Sequence, residues 1–236
     1  MDVCFSVEGK LDGRENMARD ARLIELSERD GRVYARIYDW DGPWVTLGKF
    51  QDPAVALVKD CPVPFAMRPT GGRAVLHGHD ITFSIAVPLS LIAQPGESLL
   101  KLSRQVTLAY RRTVQPAVLA LRDSGIDAVL GEEILPKDRE VSRSSDCFAH
   151  LSANDILNRK SLQKVCGIAM ALTPKAVLVQ ASIPVASPLV DPATVYPDPA
   201  SLAIQSVDRE EFANALNVRL CALVGTPYKS DHHAMI

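Results

Sequence analysis

The sequence predicts an α+β fold: a mixed, largely antiparallel sheet flanked by helices. Three observations carry this. Ile81, Phe83, Ile85 and Val87 alternate with Thr82, Ser84 and Ala86, the period of a strand. Other segments repeat apolar residues at spacings of three and four, the period of a helix. The two kinds mix irregularly, with no βαβ rhythm and no internal repeat, which favours α+β.

Taken in order, residues 15–28 place Met17, Ala21 and Ile24 on one helical face. Residues 32–39 alternate through Val33, Ala35 and Ile37 as a half-buried strand, and Trp44–Leu47 is a second short strand closed by Gly48. Ala74–His77 and Ile81–Val87 are strands joined by a Gly78-His79-Asp80 turn. Residues 97–123 form one or two helices, and Pro116 either kinks the segment or starts a new helix. Strand returns at 125–130. Residues 135–146 read as a mobile polar loop, and 148–157 fit no period clearly. Strands at 164–170 and 176–185 flank a Thr-Pro turn. Five prolines between 184 and 199 lack ladder donors and imply a long surface excursion. Asp208–Val224 closes as a helix with Gly225 as its cap, and the last eight residues are expected to fray.

A chain of 236 residues makes one large domain or two small ones and buries a core without disulfides or metal. Its composition, 47% hydrophobic and 23% charged, is that of an ordinary globular protein. A net charge of −2 argues against general nucleic-acid binding. The N-terminus has no signal-peptide pattern, and no apolar run is long enough to span a bilayer. A cytoplasmic protein is expected. The five cysteines are widely spaced, with no CxxC and no zinc-type cluster, so no metal site is expected. They are expected to be reduced, and one could be a nucleophile.

The stretch Arg68-Pro-Thr-Gly-Gly-Arg-Ala-Val-Leu-His77 carries the chemistry. Gly71 and Gly72 allow positive φ and let backbone amides approach a ligand, an anion-binding geometry. Arg68 and Arg73 add charge suited to phosphate or carboxylate. The spacing matches neither the P-loop nor GxGxxG. The plain alternative is a tight turn with two exposed arginines. Asp80 could bond the turn backbone, and His79 is expected to be exposed.

Five blocks in order resemble the lipoate–protein ligase and octanoyltransferase family, which shares its catalytic domain with biotin–protein ligases. They are Glu15–Ala18, Tyr38–Gln51, Arg68–His77, Asp146-Cys-Phe148 and Lys164-Val-Cys-Gly-Ile-Ala169. The resemblance implies a class II aminoacyl-tRNA synthetase-like core over residues 1–236, a single domain without a C-terminal accessory domain. It implies transfer of an octanoyl or lipoyl group to a lysine of a lipoyl carrier domain, such as glycine cleavage H protein or a 2-oxoacid dehydrogenase E2. It places an apolar acyl tunnel beside the glycine loop, with Trp40, Leu47, Ala74, Val75, His77, Gly167 and Ala169 lining or neighbouring it. Plain core packing is the alternative for each apolar residue.

The same resemblance points to Lys164 as the cation that stabilises charge on the acyl carbonyl oxygen. Lys160 and Lys175 are expected to be ordinary exposed lysines. Cys147 matches the nucleophile of some octanoyltransferases, attacking the thioester of octanoyl-acyl carrier protein. A neighbouring Lys164 favours its thiolate form. A buried structural thiol is the alternative. Cys166 reads as a stand-in for a small residue. Met67, Gly78, Met170–Leu172 and Gln180-Ala181 stand where relatives often carry polar or charged groups, which weakens the case for nucleotide use.

Three functions follow as expectations. The first is a cofactor-free acyltransferase acting through Cys147. The second is an ATP- and Mg2+-dependent lipoate–protein ligase, with a separate accessory subunit supplying the missing domain. The third is a non-catalytic protein that binds lipoyl domains.

Overall fold

The computed structural model describes residues 3–136 and 143–225. The chain opens with β1 (Val3–Leu11), α1 (Gly13–Asp30), β2 (Val33–Trp40), β3 (Trp44–Leu47), α2 (Pro53–Ala56) and β4 (Phe65–Met67). It continues through β5 (Val75–His77), β6 (Asp80–Pro88), α3 (Leu89–Ile92), α4 (Leu99–Leu102), α5 (Val106–Asp123) and β7 (Ala128–Leu130). It closes with α6 (Gly131–Ile134), β8 (Ile156–Asn158), β9 (Lys164–Leu172), β10 (Ala176–Pro184) and α7 (Arg209–Leu223).

Seven strands form the main sheet in the order β1-β2-β6-β10-β9-β8-β7, and a small sheet runs β4-β3-β5. In the main sheet β1 and β2 are parallel and the other neighbours antiparallel. This is the mixed sheet the sequence predicts. Helices α5 and α7 cover one face, where Val114, Leu121, Phe212 and Leu216 meet Ile37, Phe83, Ile85 and Val179. Helix α1 covers the other with Leu23 and Leu26 against Tyr34, Ala86 and Leu178. Strands β6 and β10 are therefore buried at every position, which is why Ala86 can stand where alternation calls for a polar residue. Among the described residues no helix is long and apolar enough to cross a membrane.

Most expected elements are present, and the differences have physical causes. β1 is absent from the expectations; Val3, Phe5 and Val7 alternate, and the strand adds to the edge of β2. The segment 97–123 divides into α4 and α5, and α5 continues through Pro116. β7 is shorter than expected because Gly125, at φ 84°, ends the turn that follows α5. The strands on either side of Gly78 do not form a hairpin: β5 pairs with β3 and β6 with β2 and β10. Gly78, at φ 105°, redirects the chain from the small sheet to the large one. The proline-rich segment is not wholly superficial, since Val195 and Tyr196 fill the core of the small sheet beside Val45, Leu47 and Leu76. Residues 137–142 of the expected loop and the last eight residues lie outside the described residues, while Ser144 and Asp146 are buried.

Under α1 runs a buried polar network. Arg36, 1% exposed, donates to Asp20 at 2.7 Å, to Glu8 at 2.8 Å and to the Asn16 side chain at 2.8 Å. Tyr38 donates to the second Asp20 oxygen at 2.7 Å, and Gln180 of β10 donates to it at 2.6 Å. Removing one member of a buried ion pair leaves an uncompensated charge. Asp20→Ala is expected to lower the stability of the fold by about 3–5 kcal/mol, read as a lower urea midpoint.

Candidate active site

The site forms where the two sheets meet. The Gly78 turn brings His77, from the small sheet, next to Asp80, from the large one. His77 Nδ1 lies 2.7 Å from Asp80 Oδ2 and its Nε2 lies 2.8 Å from Thr46 Oγ1. Asp80 also accepts from Thr82 at 2.8 Å, Ser182 at 2.6 Å and the Gly78 amide at 3.1 Å. Burial pushes the Asp80 carboxyl up, but His77 and these donors outweigh it and hold it down at about 2. Trp40 stacks behind His77, ring centroids 4.1 Å apart, and donates from Nε1 to Thr82. His79 is buried rather than exposed, and burial lowers its pKa.

The glycine loop is held from inside. Arg68, 5% exposed, donates from Nη1 to the Thr46 carbonyl and hydroxyl at 2.8 and 2.9 Å. Its Nη2 donates to the carbonyls of Gly71 and Arg73 at 2.9 and 2.8 Å, and its Nε to Thr70 at 3.4 Å. All five of its N–H groups are therefore engaged within the protein. Arg68 thus anchors the loop, and its guanidinium also lines the cavity described below. Thr70 donates to Gln180 at 2.6 Å, joining the loop to the network under α1. Of the two loop glycines only Gly72, at φ 89°, uses the left-handed region, so the expectation for Gly71 is corrected. The loop presses on the end of β3, where a Cβ on Gly48 would stand 2.0 Å from the Gly72 carbonyl oxygen.

The cysteine turn docks on this loop. Ala74 donates its N–H to the Ser145 carbonyl, and its own carbonyl accepts from the Cys147 amide, each at 2.9 Å. Asp146 caps the one-turn 3-10 helix Cys147–Ala149, accepting from Phe148 N–H at 2.9 Å and from Ala200 N–H at 2.8 Å. Burial raises the Asp146 pKa against those two bonds.

Lys164, at the start of β9, reaches the same turn. Its Nζ lies 3.3 Å from Cys147 Sγ, 2.8 Å from the Cys147 carbonyl and 2.9 Å from Asp155 Oδ1. Burial opposes its charge, yet the Cys147 sulfur and the Asp155 carboxylate outweigh it and raise its pKa. Lys160 and Lys175 are exposed, as expected. Cys166 is buried, and burial pushes its thiol far up.

A narrow cavity of about 40 Å3 opens among these parts, lined by Cys147, Gly72, Arg73 and Arg68, by Val75 and His77 of β5, and by Gly167 and Ala169 of β9. Thr46, Gln180 and Ser182 add polar groups to its lining, and Met17 of α1 adds an apolar one. Trp40, Leu47, Gly71 and Ala74 do not line it. Trp40 supports His77 from behind. Leu47 and Ala74 are fully buried in the small-sheet core, and the Ala74 backbone carries the cysteine turn. A wider cleft of about 910 Å3 lies between α1 and residues 61–69 and does not include Cys147.

Sequence reasoning missed Asp155, Thr46, Thr82 and Ser182 as members of this site. Each is an ordinary polar residue with no local motif. Only pairing across strands brings them together.

The family profile described as the lipoyl protein ligase A/B catalytic domain matches residues 12–216. The chain belongs to this family. Octanoyltransferase LipM of Bacillus cereus is 30% identical over 189 residues, a match covering 77% of this chain and 64% of that protein. The chain thus spans a little under two thirds of the length of that relative. Protein Ta0514 of T. acidophilum, solved with bound lipoic acid, superposes with a TM-score of 0.69 at 22% identity, over 98% of this chain and 89% of that one. A bi-partite lipoate protein ligase of Thermoplasma acidophilum, from a structural analysis of that ligase and its E2 lipoyl domain, superposes with a TM-score of 0.61 at 20% identity, covering 97% and 87%. These likenesses establish the ligase fold.

Two outcomes follow from the geometry. Gly48→Ala forces backbone apart beneath the loop and is expected to cost about 3 kcal/mol or more, read by urea denaturation. For Asp80, a carboxyl held at about 2 contributes stability that is complete above its ordinary pKa near 4 and is lost as pH falls toward 2. Asp80→Asn should remove about 2 kcal/mol of that acid-range dependence, measured as the change in unfolding free energy between neutral pH and pH 2.

Proposed function

We propose that this chain is an acyltransferase of protein lipoylation that moves an octanoyl group to a lysine of a lipoyl carrier domain through a Cys147 thioester. One observation carries the reading: Cys147 Sγ faces the cavity while the buried Lys164 ammonium stands 3.3 Å behind it. Such a cation favours the thiolate, the form that attacks a thioester. The likeness to octanoyltransferase LipM supports the same activity.

In the first step the Cys147 sulfur attacks the carbonyl of an octanoyl thioester on acyl carrier protein. A new C–S bond forms, the donor C–S bond breaks, and the donor leaves as a thiol. In the second step the carrier lysine amine attacks the acyl-cysteine carbonyl. An amide forms and the amine's proton returns to Cys147. The net exchange of thioester and amine for amide and thiol requires no cofactor. Lys164 stabilises the oxyanion in both steps. Met17, unbranched and adaptable, and Val75 form the wall that yields to the acyl chain, because the cavity of about 40 Å3 holds only one or two waters.

Incubation of the purified protein with octanoyl-acyl carrier protein should add one octanoyl mass to the intact chain. The adduct should vanish in Cys147→Ala and form on the order of 100-fold more slowly in Lys164→Met. A folded wild-type protein that takes no octanoyl group sinks the transferase reading. Pyrophosphate release from ATP in the presence of lipoate would establish the ligase instead.

A further inference from the structure

We propose that Asp155 is a positioning residue for acyl transfer: it keeps the Lys164 ammonium charged and aimed at the Cys147 sulfur. The proposal rests on Cys147 being the acyl-accepting thiol.

The argument begins with burial. Lys164 and Asp155 are 5% and 2% exposed, so neither has bulk water to stabilise its charge. An isolated lysine in such a place loses its proton. Asp155 Oδ1 lies 2.9 Å from Nζ, within charge-assisted hydrogen-bond distance. The remaining partners of Nζ are neutral carbonyls, those of Cys147 at 2.8 Å and His150 at 3.3 Å, together with the Cys147 sulfur. Carbonyls satisfy donors without supplying a negative charge.

The other titratable groups around this pair cannot replace Asp155. Asp146 directs its oxygens to the Phe148 and Ala200 amides, and burial raises its pKa. Cys166 and Tyr110 are buried, and burial holds both in their neutral forms. Tyr110 donates to the Asn154 carbonyl, one residue before Asp155.

Asp155 is itself held in place. It directly precedes β8, and its Oδ2 accepts the Ser152 amide at 2.5 Å. Its carbonyl accepts from Gly131, and its amide donates to the Ser152 carbonyl. Its orientation is therefore fixed by the β7–β8 edge of the sheet, while Lys164 comes from β9 and Cys147 from the docked turn. Three separate segments bring the carboxylate and the sulfur to one ammonium, at 2.9 and 3.3 Å. Without Asp155 the amine would lose its charge, and the sulfur would keep only the guanidinium charges of Arg68 and Arg73 that share its cavity.

The test needs no acyl donor. The rate at which iodoacetamide alkylates Cys147, located by peptide mass, is measured against pH in wild type, Asp155→Asn and Asp155→Glu. In Asp155→Asn the rate at neutral pH should fall about tenfold and the profile should move up by about one pH unit, since an adjacent opposite charge is worth that much or more. Asp155→Glu, which keeps the carboxylate, should recover most of the rate. A folded Asp155→Asn with the wild-type profile overturns the proposal. If Asp155→Asn does not fold, Asp155→Ala is assayed with and without formate. A formate-dependent gain in alkylation supports the proposal, and its absence overturns it. Wild type that takes no octanoyl group, yet whose alkylation depends on Asp155, refutes the transferase reading and leaves the Asp155–Lys164–Cys147 coupling standing.

Discussion

Cations removed from water must find a partner for every donor, and this fold meets that demand at Arg36, Arg68 and Lys164. Arg36 is satisfied by Asp20, Glu8 and Asn16 under α1. Arg68 is satisfied by the carbonyls of Thr46, Gly71 and Arg73 and by the hydroxyls of Thr46 and Thr70. A continuous chain of hydrogen bonds joins the two, from Arg36 through Asp20, Gln180 and Thr70 to Arg68. The glycine loop is thereby tied to α1 through one side chain of β10. Such networks stabilise only when complete, and a single unpaired member is costly.

Lys164 belongs to the same pattern but differs in one respect. Its partners include a sulfur that faces a cavity. Arg36 is fully enclosed and Arg68 lines the cavity with its donors spent on the loop, whereas Lys164 holds the Cys147 sulfur itself. A cation buried for structure and a cation poised for chemistry obey the same electrostatics. What sets Lys164 apart is that one of its partners is a sulfur beside open space.

Backbone contacts matter as much as charges at this site. The Cys147 turn is held by Ala74, and Gly48 allows β3 to lie directly under Gly72. Ala74 and Leu47 thus act through position, by carrying or packing the loop, and the cavity wall is left to Val75, His77, Gly167 and Ala169.

Local pattern determined much of this protein. Period-two runs located β2 and β6, apolar runs around a Thr-Pro turn located β9 and β10, helical spacing located α1 and α7, and the absence of a βαβ rhythm indicated a mostly antiparallel sheet. The resemblance of five sequence blocks to the family singled out Cys147 and Lys164. Tertiary structure alone decided the rest. The sequence cannot express that β5 and β6, adjacent in the chain, belong to different sheets, since a turn residue such as Gly78 sets a direction without naming a partner. It marks Arg68 as a cation but not that all its donors point inward, because satisfaction depends on carbonyls supplied by other segments. Asp155 was illegible for the same reason. A carboxylate acquires its role from what stands 2.9 Å away, and here that is an ammonium from another strand.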